Sequence, residues 1–226
     1  MYILGISSAQ KIVDVALIKE EDLLSHFSLS GESPKTENLI LYIEKVLKGN
    51  IALNKLSGIA VTVGPGSYGG LRGGLSLAKS ISQVHNIPIL PVSTLEAVAY
   101  NLIDADGAIA VAIPACKKEL NVALFGASEG KLNRLTDDLV MKEDKFLSFI
   151  SKIKGEIHFL GDNNIGAEVA EVASSGVKTG SESNSLPKAS NVAFLGLEKF
   201  KAGEKLDYIN ALPRYSHEPN IREYGK

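Results

Sequence analysis

The sequence predicts an α/β protein of two related halves, each a mixed sheet flanked by helices. Three observations lead there. Three short apolar runs open the chain with polar turns between them, the mark of a strand meander. From residue 36 onward, stripes at helical spacing alternate with strand-length apolar runs. Near Asp104-Ala105-Asp106-Gly107 the strand pattern restarts, so the second half reads as a degenerate copy of the first.

The elements follow in order. Residues 2–6, 12–18 and 23–30 are rich in Ile, Val or Leu and are separated by Ser7-Ser8-Ala9-Gln10 and Lys19-Glu20-Glu21-Asp22. Leu39, Tyr42, Ile43, Val46 and Leu47 recur at three and four residues, predicting a helix over 36–47 with Thr36 as its cap and Gly49-Asn50 as its stop. A strand over 57–63 leads into a glycine turn and a second helix to about residue 85. A strand over 87–92 and a helix over 94–102, capped by Ser93 or Thr94, complete a β-β-β-α-β-α-β-α order. In the second half, strands are expected at 108–113, 120–127, 139–142 and 157–161, and helices at 145–154, 165–174 and 191–201. Residues 176–190 are rich in Ser, Gly and Asn and read as a surface loop. The expected division is an N-terminal lobe over 1–103 and a smaller lobe over 104–226.

Composition narrows the function classes. With 45% hydrophobic and 22% charged residues in 226, the chain is an ordinary globular one. Its net charge of −2 lacks the basic excess of a free-standing nucleic-acid binder. Arg214, His217, Arg222 and Lys226 near the end permit a local contact, but a solvated terminus is the simpler expectation. The single Cys116 excludes an intramolecular disulfide. No basic region precedes the first apolar run, and no run approaches the ~18 apolar residues of a membrane span. A soluble, cytoplasmic protein is expected.

The distinctive stretch is Gly64-Pro65-Gly66-Ser67-Tyr68-Gly69-Gly70-Leu71-Arg72-Gly73-Gly74. It spells a dinucleotide fingerprint, but no acidic residue ends the next strand to hold a ribose; Glu96 comes only inside the following helix. A phosphate loop requires Lys then Ser or Thr, where Leu71-Arg72 stands. A nucleophile elbow requires glycine at Pro65, and Ser67 with Asp162 and His217 is a chance order. The histidines at 26, 85, 158 and 217 are scattered, so no metal site is expected. Gly64, Pro65, Gly66 and Ser67 are read instead as a helix-initiating turn. Gly70, Gly74, Ala78 and Ser82 then line one stripe of the helix at four-residue intervals, a device for close backbone approach. With Leu71 and Leu75, and with Leu39, Tyr42, Ile43 and Val46 of the first helix, that stripe is expected to meet another chain.

These residues carry a resemblance. The glycine stretch resembles the Gly-Pro-Gly-Ser-Phe-Thr-Gly-Leu-Arg-Ile-Gly signature of the TsaB (YeaZ) family, Ile3-Leu4-Gly5-Ile6-Ser7-Ser8 its Ile-Leu-Ala-Ile-Asp-Thr opening, and Val92-Ser93-Thr94-Leu95-Glu96-Ala97 its Val-Ser-Ser-Leu-Glu-Ala. Pro213-Arg214-Tyr215 is a looser match. The resemblance implies an actin-like, sugar-kinase-like (ribonuclease-H-like) fold of two lobes. It implies a non-catalytic paralogue of the transferase TsaD that pairs with it through the N-terminal helices and supports threonylcarbamoyl transfer to the adenosine beside the tRNA anticodon. The ATPase TsaE joins that assembly, tRNA is reached through it, and a homodimer through the same helices is a further implication. Departures are Ser7 for the first-strand aspartate, Lys35-Thr36-Glu37 for His-Ser-Glu, Pro114-Ala115-Cys116 for Asp-Ala-Arg, and Gly69 and Gly73 inside the signature. No catalytic residue, cofactor or metal is therefore expected. The alternative is an enzyme of the same superfamily, metalloprotease-like or a phosphotransferase or ATPase.

Overall fold

The computed structural model describes residues 1–30, 36–116, 118–173 and 176–217. Lys35, Arg222, Lys226, the Thr36 side chain and the last residue of the helix expected over 165–174 lie outside the described residues.

The first sheet is ordered β3-β2-β1-β4-β5. Its strands are β1 (Tyr2–Ser7), β2 (Ile12–Lys19), β3 (Asp22–Ser30), β4 (Gly58–Gly64) and β5 (Ile89–Ser93). The first three pair antiparallel as a meander, and β4 and β5 join in parallel. Parallel strands covered on both faces read as continuous apolar runs, and β4 is buried at every position.

The second sheet is built from β6 (Gly107–Pro114), β7 (Glu119–Ser128), β8 (Lys131–Arg134), β10 (Ile157–Gly161) and β11 (Val177–Thr179), with β9 (Leu139–Lys142) paired to β7. Its order, β11-β10-β6-β7-β8, repeats the first sheet's topology: an antiparallel trio, then two parallel strands. The repeat is the one expected from the restart of the pattern.

The helices are α1 (Leu39–Leu47), α2 (Tyr68–His85), α3 (Thr94–Ala99), α4 (Glu143–Ile150), α5 (Asn163–Val172) and α6 (Ala189–Ala202). They differ from the sequence expectations mainly at their ends. Residues 36–38 form a 3-10 turn before α1, α3 passes into a 3-10 turn over Tyr100–Leu102, and α5 starts at Asn163, two residues early, with Asp162 as its cap; Ser93 caps α3 as expected. Two short strands, β8 and β11, were not expected, and β11 lies inside the stretch read as loop.

Packing follows from which faces are apolar. α1 and α2 cover one face of the first sheet, burying Leu4, Ile6, Val15 and Leu17 against Ile43, Val46, Leu75 and Ala78. At about 1.5–3 kcal/mol for each large apolar side chain, this layer is a major stabilising contact. α6, although late in the chain, covers the other face. A side-chain carbon at Gly5 would come within 2.2 Å of Ala189 O, and one at Gly196 within 2.4 Å of Ala60 Cβ. α3 packs on the second sheet through Leu95, Val98 and Ala99, and α4 with α5 closes that sheet's far face around Phe146, Phe159 and Val169.

Candidate functional site

The glycine turn joins β4 to α2 and packs under the β1–β2 loop. Ser67 N–H donates to Ala9 O at 2.7 Å, and Ser67 Oγ accepts from Gly70 N–H at 3.4 Å as the cap of α2. A side-chain carbon at Gly66 would lie 2.3 Å from Ala9 O, and one at Gly70 would lie 2.0 Å from Ser8 O. Gly64, with φ +132°, and Pro65 are buried, while Gly66 and Ser67 are exposed. A phosphate cradle presents free N–H groups; those of Ser67 and Gly70 are bonded within the chain.

The residues expected to meet another chain do not face outward. Leu39, Tyr42, Ile43 and Val46 are buried in the first sheet's core, as are Leu71, Leu75 and Ala78. Gly74 and Ser82 are buried too, and Gly70 is half-buried. The small stripe has a sufficient internal reason. Gly74 lies where a side-chain carbon would come within 2.2 Å of Ser8 Oγ, and Ser8 Oγ donates to Gly70 O at 2.9 Å. Ser82 Oγ donates to Ile87 O at 2.6 Å, closing the helix beside its left-handed Asn86. Those positions admit the β1–β2 loop and the sheet.

The opposite side of α2 carries a second stripe of small residues. Gly69, Gly73, Ser76 and Ser80 recur at four, three and four residues, with Gly69, Ser76 and Ser80 exposed and Gly73 half-buried. Nothing lies within 4 Å of a carbon built on Gly69. Val84 is 76% exposed beside this stripe, and on α1 Leu41 is 50% and Ile40 44% exposed. Both stripes of α2 are small, so the sequence signal was present twice, and spacing did not distinguish inside from outside.

Around the first turn of α2 stands a cation–aromatic cluster. The Arg72 guanidinium carbon lies 3.9 Å from the centre of the Tyr68 ring, and Arg72 Nε donates to Tyr215 Oη at 3.0 Å. The Tyr68 and Tyr215 rings are 4.8 Å apart. The bond to Tyr215 holds Arg72 above the usual arginine range.

Elsewhere, polar groups are committed to structure. Ser7, at the end of β1, is fully buried and donates to Pro187 O at 2.8 Å. Asp14 Oδ2 accepts from Ala189 N–H at 2.7 Å, while Oδ1 meets His26 Nε2 at 2.5 Å. Burial outweighs these bonds and pushes the Asp14 carboxyl up from its ordinary range. Asp162 caps α5 and His217 pairs with Glu119 at 3.0 Å, so neither is engaged with Ser67. A cleft of about 580 Å³ is lined from both sheets. A hydrogen bond and ion pairs line it: Ser93 Oγ donates to Asp138 at 2.8 Å, and Arg134 meets Asp138 at 2.7 Å and Glu96 at 3.8 Å. Among the described residues no group of three or more His, Cys, Asp or Glu is arranged to hold a metal ion.

A family model described as TsaD, tRNA N6-adenosine threonylcarbamoyltransferase, matches residues 32–212, more than half of the chain. The tRNA threonylcarbamoyladenosine biosynthesis protein TsaB of Bacillus subtilis is 28% identical over 218 residues, 95% of this chain and 93% of that protein. In structure, YeaZ from Pseudomonas aeruginosa superposes with a TM-score of 0.80 at 19% identity, covering 95% of this chain and 99% of YeaZ. A ROK hexokinase from Thermus thermophilus shares the wider fold, with a TM-score of 0.52 at 10% identity over 90% of this chain and 100% of the hexokinase. The fold is the two-sheet, sugar-kinase-like one.

Proposed function

This chain belongs to the TsaB (YeaZ) branch of the tRNA N6-adenosine threonylcarbamoyltransferase family, acting in tRNA threonylcarbamoyladenosine biosynthesis, and we propose that it serves there as a non-catalytic partner of the transferase TsaD. The docking surface in this reading is the outward face of α2 with the exposed residues of α1. The observation that carries it is the second small stripe. Gly69, Gly73, Ser76 and Ser80 leave the α2 backbone open to close approach, although no fold contact at Gly69 requires a glycine there. Val84 on α2 and Leu41 and Ile40 on α1 are exposed, apolar side chains suited to packing against a helix of another chain. Ser7 supports the non-catalytic part: its hydroxyl is buried and bonded to Pro187 O.

In this reading the ATPase TsaE and tRNA reach the chain through the TsaD complex. In the absence of TsaD, two copies pair through the same face. The setting is the cytoplasm; no described helix is long and apolar enough to cross a membrane.

The test is titration calorimetry of the chain with its cognate TsaD. Ser76→Arg and Ser80→Arg place bulk on the outward stripe without entering the core. Each is expected to weaken binding at least tenfold with the thermal midpoint unchanged. Wild-type affinity in both variants would remove α2 from the docking surface.

A further inference from the structure

We propose that the C-terminal segment makes Arg72 a preset receptor for a carboxylate of the docking partner, with Tyr215 as its positioning residue. The inference rests on the α2 docking face above and names what that face recognises.

The segment is built into the fold from end to end. Leu206 exchanges two backbone hydrogen bonds with Ile89, at 2.8 and 2.9 Å, extending the sheet edge beyond β5. Ala211 is fully buried in the first sheet's core. Arg214 N–H donates to Val63 O at 2.6 Å, so the chain crosses directly over the glycine turn. Beyond it, Ser216 Oγ donates to Asn121 Oδ1 and His217 meets Glu119, both on β7 of the second sheet. Tyr215 therefore sits between two anchors, one on each sheet, and its hydroxyl is delivered to Arg72 by backbone fixed on both sides.

Among the described residues, nothing neutralises Arg72 where it is held. Its Nε is occupied by the neutral Tyr215 hydroxyl and its face by the Tyr68 ring. No carboxylate of the described residues lies within ion-pairing distance of it, and the 18-residue α2 contains no Asp or Glu. Toward the described residues the two terminal amino groups make no hydrogen bond, and they form a planar pair of donors, the geometry that matches a carboxylate side-on. An arginine that becomes buried at an interface without an anion leaves an unpaired charge, which is strongly unfavourable. Holding the guanidinium in place beforehand reduces the ordering loss on binding. The surroundings favour a protein carboxylate over an RNA phosphate. The adjoining stripe is small and uncharged, Lys79 is the only other Lys or Arg on α2, and the whole chain carries −2.

Calorimetry with cognate TsaD tests this in four variants. Arg72→Ala is expected to lose at least tenfold in affinity, and Arg72→Lys to recover little, because a point charge lacks the paired donors. Tyr215→Phe keeps the ring and removes the hydroxyl; it is expected to lose severalfold with its thermal midpoint unchanged. In the Arg72→Ala background, Tyr215→Phe is expected to have no further effect. Additive losses, or full affinity in Tyr215→Phe, would overturn the positioning role. Full affinity in Arg72→Ala, with Ser76→Arg still disruptive, would overturn the carboxylate receptor and leave the docking face standing. No binding by the wild-type chain would overturn both. Arg72-dependent, salt-sensitive binding of tRNA alone would assign the arginine to phosphate instead.

Discussion

The carbonyl of Arg214 lies directly over Gly64: a side-chain carbon built on Gly64 would come within 2.0 Å of Arg214 O. Two segments 150 residues apart in sequence touch at backbone distance, which only glycine allows. Gly64 also has φ +132°, where a side chain is strained whatever the space. Gly64→Ala is therefore expected to destabilise by about 2–3 kcal/mol, adding strain to the displaced crossing segment. Urea denaturation measures it, and an unchanged midpoint would contradict the contact.

The two small stripes of α2 predict opposite responses to the same substitution. Gly74→Ala drives a methyl group toward Ser8 Oγ, 2.2 Å away, and is expected to cost about 1–3 kcal/mol. Gly69→Ala meets open space and removes backbone freedom from the unfolded chain, a gain of about 0.5 kcal/mol. Thermal denaturation of the pair decides it; equal effects would mean the helix is rotated from the orientation described.

Asp14 acts as a cap for α6 supplied from another strand. Lys188 holds the cap position without a side-chain bond, and the Ala189 N–H is satisfied by Asp14. Asp14→Ala removes that acceptor and is expected to cost about 1 kcal/mol. Asp14→Asn keeps an acceptor oxygen while removing the charge.

The pH dependence separates cap from charge. Burial raises the Asp14 carboxyl above its ordinary value of 3.8, so the folded chain holds that proton more tightly than the unfolded one. The resulting stabilisation is complete below the ordinary value and fades as pH rises through the raised one. Wild type should lose stability relative to Asp14→Asn as pH rises above the ordinary value of 3.8 and through the raised one. Parallel denaturation curves for the two proteins across that range would contradict the assignment.

The buried amide of Asn191 and the half-buried one of Asn101 tie α3, its following turn and α6 together. Asn191 Nδ2 donates to Ala97 O at 3.1 Å and to Asn101 Oδ1 at 2.9 Å, and Asn101 Nδ2 donates to the carbonyls of Asn184 and Leu186. Asn101→Leu breaks all three of the Asn101 bonds. It is expected to lose about 1–2 kcal/mol, since part-buried polar groups are left without their partners. A loss below about 0.5 kcal/mol in denaturant titration would show that the carbonyls find other donors.

Much of this arrangement is legible from local pattern. Alternating and continuous apolar runs mark the strands of both sheets, and stripes at three and four residues mark the helices, because side-chain direction repeats every two residues in one and every 3.6 in the other. Ser67 and Ser93 carry their caps in their own hydroxyls. β8 and β11 escape notice because they are four and three residues long and mostly exposed, leaving no periodicity to read.

The glycine stretch and its helix show where local pattern stops. Spacing reveals that α2 has faces without bulk, yet Gly70, Gly74, Ala78 and Ser82 face the sheet while Gly69, Gly73, Ser76 and Ser80 face away. Both sets are equally small, so only the position of the β1–β2 loop decides between them. The same holds for Asp14 on the start of α6, 175 residues away, and Tyr215 on Arg72, 143 residues away. Periodicity encodes which side chains share a face. What that face meets depends on chain segments brought together from far apart, and their pairing leaves no mark in the sequence around either one.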